Sequence, residues 1–240
     1  MMFAADVLHA LDEFLSPPLC PACRMALAAN DGRTLCPQCT RRITPFPAES
    51  RRCQICGGLN DTMVECCRDC VRYPKPWFRG VSVFPYDGPG GMLVRNFKYN
   101  RRIDLAPYLG TAMARAWMEY GAPARPQVVV PIPLHWTRRI TRGFNQAELL
   151  GSEIAAALHL ECQDALRRTR RTGHQAHLDA SQRLKNLRGG FTVKSSRAIR
   201  GKAVLLVDDV YTTGSTLTAA ADALAEGGAA EISVITVARA

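Results

Sequence analysis

VLLVDDVYTTGST, residues 204–216, is the stretch from which the fold is read. Val204, Leu205, Leu206 and Val207 form a continuous apolar run, the pattern of a strand covered on both faces. Two carboxylates follow, Asp208 and Asp209. Then come Val210, Tyr211 and a loop of small hydroxylated residues around one glycine: Thr212, Thr213, Gly214, Ser215 and Thr216. Residues 217–225 are rich in Ala and Leu and have high helix propensity, and Gly227-Gly228 supplies the stop. The expectation is a buried strand of an α/β fold, a polar loop and a helix.

Such a loop suits one kind of ligand. Free N–H groups at a helix start attract an anion, and the helix dipole adds to the attraction. Gly214 lets backbone come close to the ligand, and the hydroxyls add donors. The carboxylates would repel phosphate; they suit hydroxyl groups, a divalent cation, or both. The expected ligand has a phosphate at one end and a diol at the other, as ribose 5-phosphate does. An ordinary buried strand, with Ser215 or Thr216 merely capping the helix, leaves the adjacent acids unexplained. The thirteen residues resemble the motif with which type I phosphoribosyltransferases bind 5-phosphoribosyl 1-pyrophosphate (PRPP).

The chain has 240 residues, 47% of them hydrophobic, enough for a real core in one large domain or a small one plus a medium one. No apolar run is long enough to span a bilayer, so no membrane insertion is expected. The opening MMFAADVLHALDEFLSPPLC is not read as a signal peptide: it lacks a basic start, and Asp6, Asp12 and Glu13 interrupt it. A cytoplasmic protein is expected. Phe3, Val7, Leu11 and Phe14 predict a short amphipathic helix packed on the protein; its acidic face does not suit a membrane surface. The net charge is +10, and residues 167–202 alone hold 11 Lys/Arg against the single Asp179.

Nine of the ten cysteines lie between residues 20 and 70. Cys20/Cys23, Cys36/Cys39, Cys53/Cys56 and Cys67/Cys70 are CxxC pairs, with Cys66 beside the last. Eight thiolates are what two tetrahedral Zn²⁺ sites take. Disulfides suit export, and a redox pair would be single. The spacers suit zinc ribbons. Neighbouring pairs group as Cys20/Cys23/Cys36/Cys39 and Cys53/Cys56/Cys67/Cys70. A crossed grouping uses the same eight residues, and Cys66 competes with Cys67. With every position filled by protein, both zinc sites are structural.

Tyr73–Trp77 is an extended link. Residues 80–86 alternate as a strand, 88–91 read as a turn, and 92–100 as a helix with Leu93, Val94 and Phe97 on one face. Lys98, Arg101 and Arg102 are either a solvated basic face or phosphate contacts. In a helix over 103–120, Leu105, Leu109, Met113 and Trp117 are core. QVVVPI, 127–132, is a second buried strand, running into Pro131, Ile132, Pro133 and Leu134. With Arg138, Arg139 and Arg142 before a helix at 146–158, this is a second anion site. Neither His135 nor His159 is read as a catalyst. The basic segment 167–191, with a short helix at 181–187, is a mobile flap over an anionic substrate, a DNA contact, or simply a solvated basic loop. It has too few aromatics for base stacking. EISVITVA, 231–238, is a further strand.

The four CxxC pairs, FKY at 97–99, VPIP at 130–133, RGFNQ at 142–146, RTRRT at 168–172 and the acid–hydroxyl motif, in that order, resemble the ComF family, which includes GntX-like proteins. The resemblance implies a type I phosphoribosyltransferase fold, a parallel sheet flanked by helices, over 77–240, preceded by a helix and double zinc ribbon module over 1–76. It implies Asp208 and Asp209 on the ribose hydroxyls and Mg²⁺, the loop Thr212–Thr216 around the 5-phosphate, and Pro131–Leu134 with Arg138, Arg139 or Arg142 on the pyrophosphate. It implies phosphoribosyl transfer with Mg-assisted release of pyrophosphate. Asp209 is then the candidate base, or the group that stabilises an oxocarbenium-like C1. The acceptor stays unidentified. The family is associated with DNA uptake in natural transformation, so DNA and competence-machinery proteins are partners to weigh. Two other classes compete: a non-catalytic PRPP-responsive accessory protein, and a nucleic-acid-binding module with an unused pocket. The intact acid and hydroxyl positions argue against the last. Met1-Met2-Phe3 offers no Cys for glutamine hydrolysis, so no amidotransferase is expected.

Overall fold

The structure is a computed structural model that describes residues 19–27, 35–43, 45–46, 50–134, 140–141, 143–169 and 190–240. The helices expected near residues 3–14 and 181–187, and His135, lie outside those residues. The first cysteine pair sits in a turn closed by a bridge between Leu19 and Ala26, and the second opens helix α1 (Pro37–Arg42). The pattern repeats: Cys53 and Cys56 lie in a turn closed by Arg52 and Leu59, and Cys67 precedes α2 (Arg68–Arg72). Strand β1 (Arg79–Pro85), α3 (Pro89–Tyr99), α4 (Ala106–Tyr120), β2 (Val128–Pro131), α5 (Gln146–Leu158) and β3 (Glu161–Cys162) follow. Then come β4 (Leu166–Arg168), β5 (Phe191–Val193), β6 (Ala203–Tyr211), α6 (Ser215–Glu226) and β7 (Glu231–Arg239).

Five strands form one parallel sheet in the order β1-β7-β6-β2-β3. The two apolar runs are its centre: Val128–Val130 and Val204–Val207 are at most 1% exposed. Successive side chains point to opposite faces. Val129, Leu205, Val207 and Ile235 pack with Leu93, Leu109 and Leu150 of α3, α4 and α5. Val128, Val130, Val204 and Leu206 pack with Leu217, Ala220 and Leu224 of α6. Each layer also takes in cysteines: Cys20, Cys36 and Cys39 in the first, Cys53, Cys56 and Cys70 in the second. No described helix is long and apolar enough to cross a membrane.

Residues 88–91 do not form the expected turn. Pro89 starts α3, and Gly90 and Gly91 lie buried in its first turn. A Cβ on Gly91 would sit 1.8 Å from the Tyr86 carbonyl oxygen, and one on Gly90 2.6 Å from Phe84 Cβ. These glycines let the helix close against β1. The helix expected from residue 103 opens as a 3₁₀ turn, Ile103–Leu105, and the α-helix starts where Pro107 fits its first turn. Strand β6 runs on through the acid pair, because Asp208, Val210 and Tyr211 stay in register with Thr236, Ala238 and Arg239 of β7. The ends of the basic segment form an antiparallel pair, β4 with β5.

Candidate functional site

Strand β2 leads through α5 to β3 on one side, and β6 leads through α6 to β7 on the other. The two connections part between β2 and β6, on opposite faces of the sheet. A crevice at such a switch point, beyond the carboxyl ends of the strands, is where α/β sheets bind ligands. Pro131 is in register with Val207. The Ile132–Leu134 turn, leaving the end of β2, therefore lies beside the acid pair in the last residues of β6.

Asp209 is 8% exposed, and Asp208 is half-buried. Lys98 Nζ, from the last turn of α3, lies 2.8 Å from Asp209 Oδ1. The Asp209 amide donates to Asp208 Oδ1 at 2.8 Å. Burial and then the Asp209 charge push the Asp208 carboxyl up to about 7, against the pull of Lys98, the Asp209 amide and Arg168. Burial works to lower the Lys98 ammonium, but Asp209 and Asp208 outweigh it and hold it above its ordinary value. Asp208 is thus poised to change charge near neutrality, while Lys98 balances Asp209. Carboxylate oxygens are the hard donors that Mg²⁺ takes, and equally acceptors for a diol.

Gly214 precedes α6 with φ 75° and has no side chain to cap it; the Ser215 amide donates to Thr213 Oγ1 at 3.4 Å. Ser215 Oγ also shares a 2.9 Å hydrogen bond with Thr213 Oγ1. A Cβ on Gly214 would lie 2.6 Å from the Tyr211 hydroxyl. Both conformation and space therefore require glycine here. Tyr211 is buried, edge-on to Trp77 with ring centres 6.2 Å apart, and the Arg239 guanidinium carbon lies 4.7 Å from its ring centre. Its ring supports the loop from beneath.

Asn145 organises the turn after β2. Its Oδ1 accepts from the Ala147 amide at 3.2 Å, capping α5, and its Nδ2 donates to the Ile132 carbonyl at 3.0 Å. The Ile132 amide donates to the Val207 carbonyl at 2.9 Å, which ties the turn to β6. Arg138, Arg139 and Arg142 lie outside the described residues. Of the three cations left open by the sequence, Lys98 reaches the acids. Arg102 pairs with Asp104 at 2.7 Å, and Arg101 reaches the Thr141 carbonyl at 3.5 Å. His159 is exposed and ends α5 at φ 55°. The helical spacing of α3 marks its apolar face and says nothing of which cation meets Asp209; Lys98 could be singled out only through the FKY resemblance.

Two groups of four cysteines come together as Cys20/Cys23/Cys36/Cys39 and Cys53/Cys56/Cys67/Cys70, each with all sulfurs within 4.8 Å of one another. Neighbouring pairs are used, not crossed ones, and Cys67 rather than Cys66. Cys23 and Cys36 Sγ are 3.6 Å apart, and Cys56 and Cys67 Sγ 3.9 Å. A tetrahedron with Zn–S bonds of about 2.3 Å has edges of about 3.8 Å, whereas a disulfide would need about 2 Å. The Cys36 amide donates to Cys20 Sγ, and the Cys39 amide to Cys36 Sγ, both at 3.4 Å. The donor set fits Zn²⁺ with no ligand position left open.

Residues 145–240 match the phosphoribosyl transferase domain family. The chain is 33% identical over 226 residues to the DNA utilization protein YhgH of Escherichia coli K12, covering 91% of this chain and 95% of that one. It is 32% identical over 228 residues to competence protein F of Haemophilus influenzae, covering 92% and 96%. Likeness to a purine phosphoribosyltransferase from Pyrococcus horikoshii is looser: 16% identity, 57% of this chain and 83% of that chain, and a TM-score of 0.34.

Proposed function

The chain belongs to the ComF/YhgH-like family, and from that premise we propose that it binds PRPP with Mg²⁺ and transfers the phosphoribosyl group to an acceptor in the service of DNA uptake or use. The observation that carries the proposal is the meeting at one switch point of the acid pair, the Gly214 loop at the start of α6 and the Pro131–Leu134 turn. The match of residues 145–240 to the phosphoribosyl transferase domain family supports it.

In this reading Asp208 and Asp209 accept hydrogen bonds from the ribose 2′- and 3′-hydroxyls. The loop Thr212–Thr216 takes the 5-phosphate on backbone and hydroxyl donors. Pro131–Leu134, with Arg138, Arg139 or Arg142, takes the pyrophosphate. Magnesium bound with the ligand would supply positive charge to the leaving pyrophosphate, and Asp208 is the carboxylate placed to hold it. Lys98 pairs with Asp209 at 2.8 Å. With one oxygen taken up by Lys98, Asp209 serves in this reading to stabilise an oxocarbenium-like C1 rather than as a base. Zinc held by the two cysteine clusters would take no direct part in the transfer, since every ligand position is filled by a cysteine.

The test is calorimetric titration of Mg²⁺–PRPP into the wild type and an Asp208→Asn/Asp209→Asn variant. The wild type is expected to bind and the variant to bind far more weakly. Pyrophosphate release can then be screened against candidate acceptors. A folded, zinc-loaded wild type that takes up no PRPP would overturn the reading.

A further inference from the structure

The loop proposed for the 5-phosphate has neutral donors, and its nearest acids repel a phosphate. A cation beside the loop would strengthen its hold on a phosphate dianion. Lys98 is committed to Asp209. A cavity of about 220 Å³ adjoins the loop, lined by Thr212, Thr213, Ser215, Lys75, Tyr73 and Arg239. Cys70 of the second cysteine cluster and its neighbour Asp69 also line it. That volume is roughly seven waters' worth, room for a phosphate group. Lys75 Nζ donates to the Thr213 carbonyl at 3.3 Å and, among the described residues, forms no ion pair. Arg239, which lines the same cavity, has a buried Nε with no hydrogen-bond partner among the described residues.

We propose that Lys75 is the cation of the phosphate subsite, so that the second cysteine cluster completes the ligand pocket by carrying this side chain to the loop. The proposal rests on the phosphoribosyl reading above and adds a binding residue from outside the sheet. The link that bears Lys75 is held at its next turn. Trp77 Nε1 donates to the Ile55 carbonyl, inside the third CxxC pair, at 2.7 Å. The Trp77 ring in turn meets Tyr211 beneath Gly214. The Gly80 amide donates to the Gln54 carbonyl at 2.7 Å, and a Cβ on Gly80 would collide with the Ile55 carbonyl at 2.0 Å. The cluster, the link and the loop are thus one packed unit. A phosphomonoester arriving at Thr213 and Ser215 finds the Lys75 ammonium already there, exchanging a carbonyl for a charged acceptor.

Three probes separate this from a structural role: Mg²⁺–PRPP, ribose 5-phosphate, and inorganic pyrophosphate, each titrated into the wild type, Lys75→Gln and Lys75→Arg. Lys75→Gln should weaken PRPP and ribose 5-phosphate alike, by about ten- to a hundredfold, as loss of a charge-assisted hydrogen bond does. Pyrophosphate binding should not change, and Lys75→Arg should restore most of the loss. Zinc content and thermal midpoint are checked in each variant. Equal ribose 5-phosphate binding by wild type and Lys75→Gln overturns the proposal, and so does a parallel loss of all three probes. A wild type that binds no PRPP fails at the earlier step and removes the phosphoribosyl reading itself.

Discussion

Asp208 is a carboxyl whose proton affinity depends on the fold. Its folded value of about 7 stands above its ordinary 3.8, with burial the first cause and Asp209 the second. Between those two values the folded protein holds a proton that the unfolded chain has lost. Stability therefore falls as pH rises through that window. Without ligand, the thermal midpoint should decline between about pH 4 and 7, and Asp208→Asn should flatten the decline. Ligand that meets the ionised carboxylate should bind more tightly as pH rises through neutrality, with proton uptake by buffer visible in calorimetry. Lys98 raises a second question at this scale. Replacing it by Met leaves Asp209 buried and unpaired, which should cost about 3 kcal/mol in denaturant unfolding. The double change Lys98→Met/Asp209→Asn should recover much of that, since the coupling disappears with both charges. An additive double variant would show that the 2.8 Å pair is not coupled.

At the scale of elements, β6, the Gly214 loop and α6 read directly from their residues, because each local preference agrees with the fold. An unbroken apolar run, two acids, hydroxyls and an Ala/Leu helix leave little choice. The helix over 146–158 was equally legible, and the structure adds Asn145 as its cap. The error over 88–91 has a clear cause. Gly-Pro-Gly-Gly is turn chemistry when read locally, yet here the glycines mark contact. Gly91→Ala should therefore destabilise by about 1–3 kcal/mol, as overpacking against backbone does. Helix propensity alone predicts a gain from the same change. Thermal denaturation of the single variant decides between them.

At the scale of the molecule, the two cysteine clusters serve opposite faces of one sheet. Cys36 and Cys39 share a core with α3 and α4, and Cys53 and Cys70 share one with α6. Metal removal should therefore loosen the whole fold and not just the first 76 residues. Elemental analysis is expected to find two zinc ions per chain, one for each cluster. Chelation, or Cys70→Ser, should lower both the thermal midpoint and PRPP affinity. Cys66→Ser should leave both unchanged, because Cys66 stands outside the cluster. Equal damage from Cys66→Ser and Cys67→Ser would overturn that ligand assignment.

The sequence by itself determined the covalent spacing and local preference of each part: the buried runs, the acid–hydroxyl loop, the apolar faces of α3 and α4, and eight thiolates in pairs. These depend on a few neighbouring residues and so are written in order along the chain. Which pairs of cysteines meet, which cation faces Asp209, and which lysine reaches Thr213 depend on elements far apart in sequence. Lys98 and Asp209 are joined only because α3 closes on β1 while β6 lies in the middle of the sheet. Lys75 meets Thr213 across 138 positions of chain. Long-range packing of helices and cysteine clusters on a parallel sheet decided those contacts, and no local pattern records them.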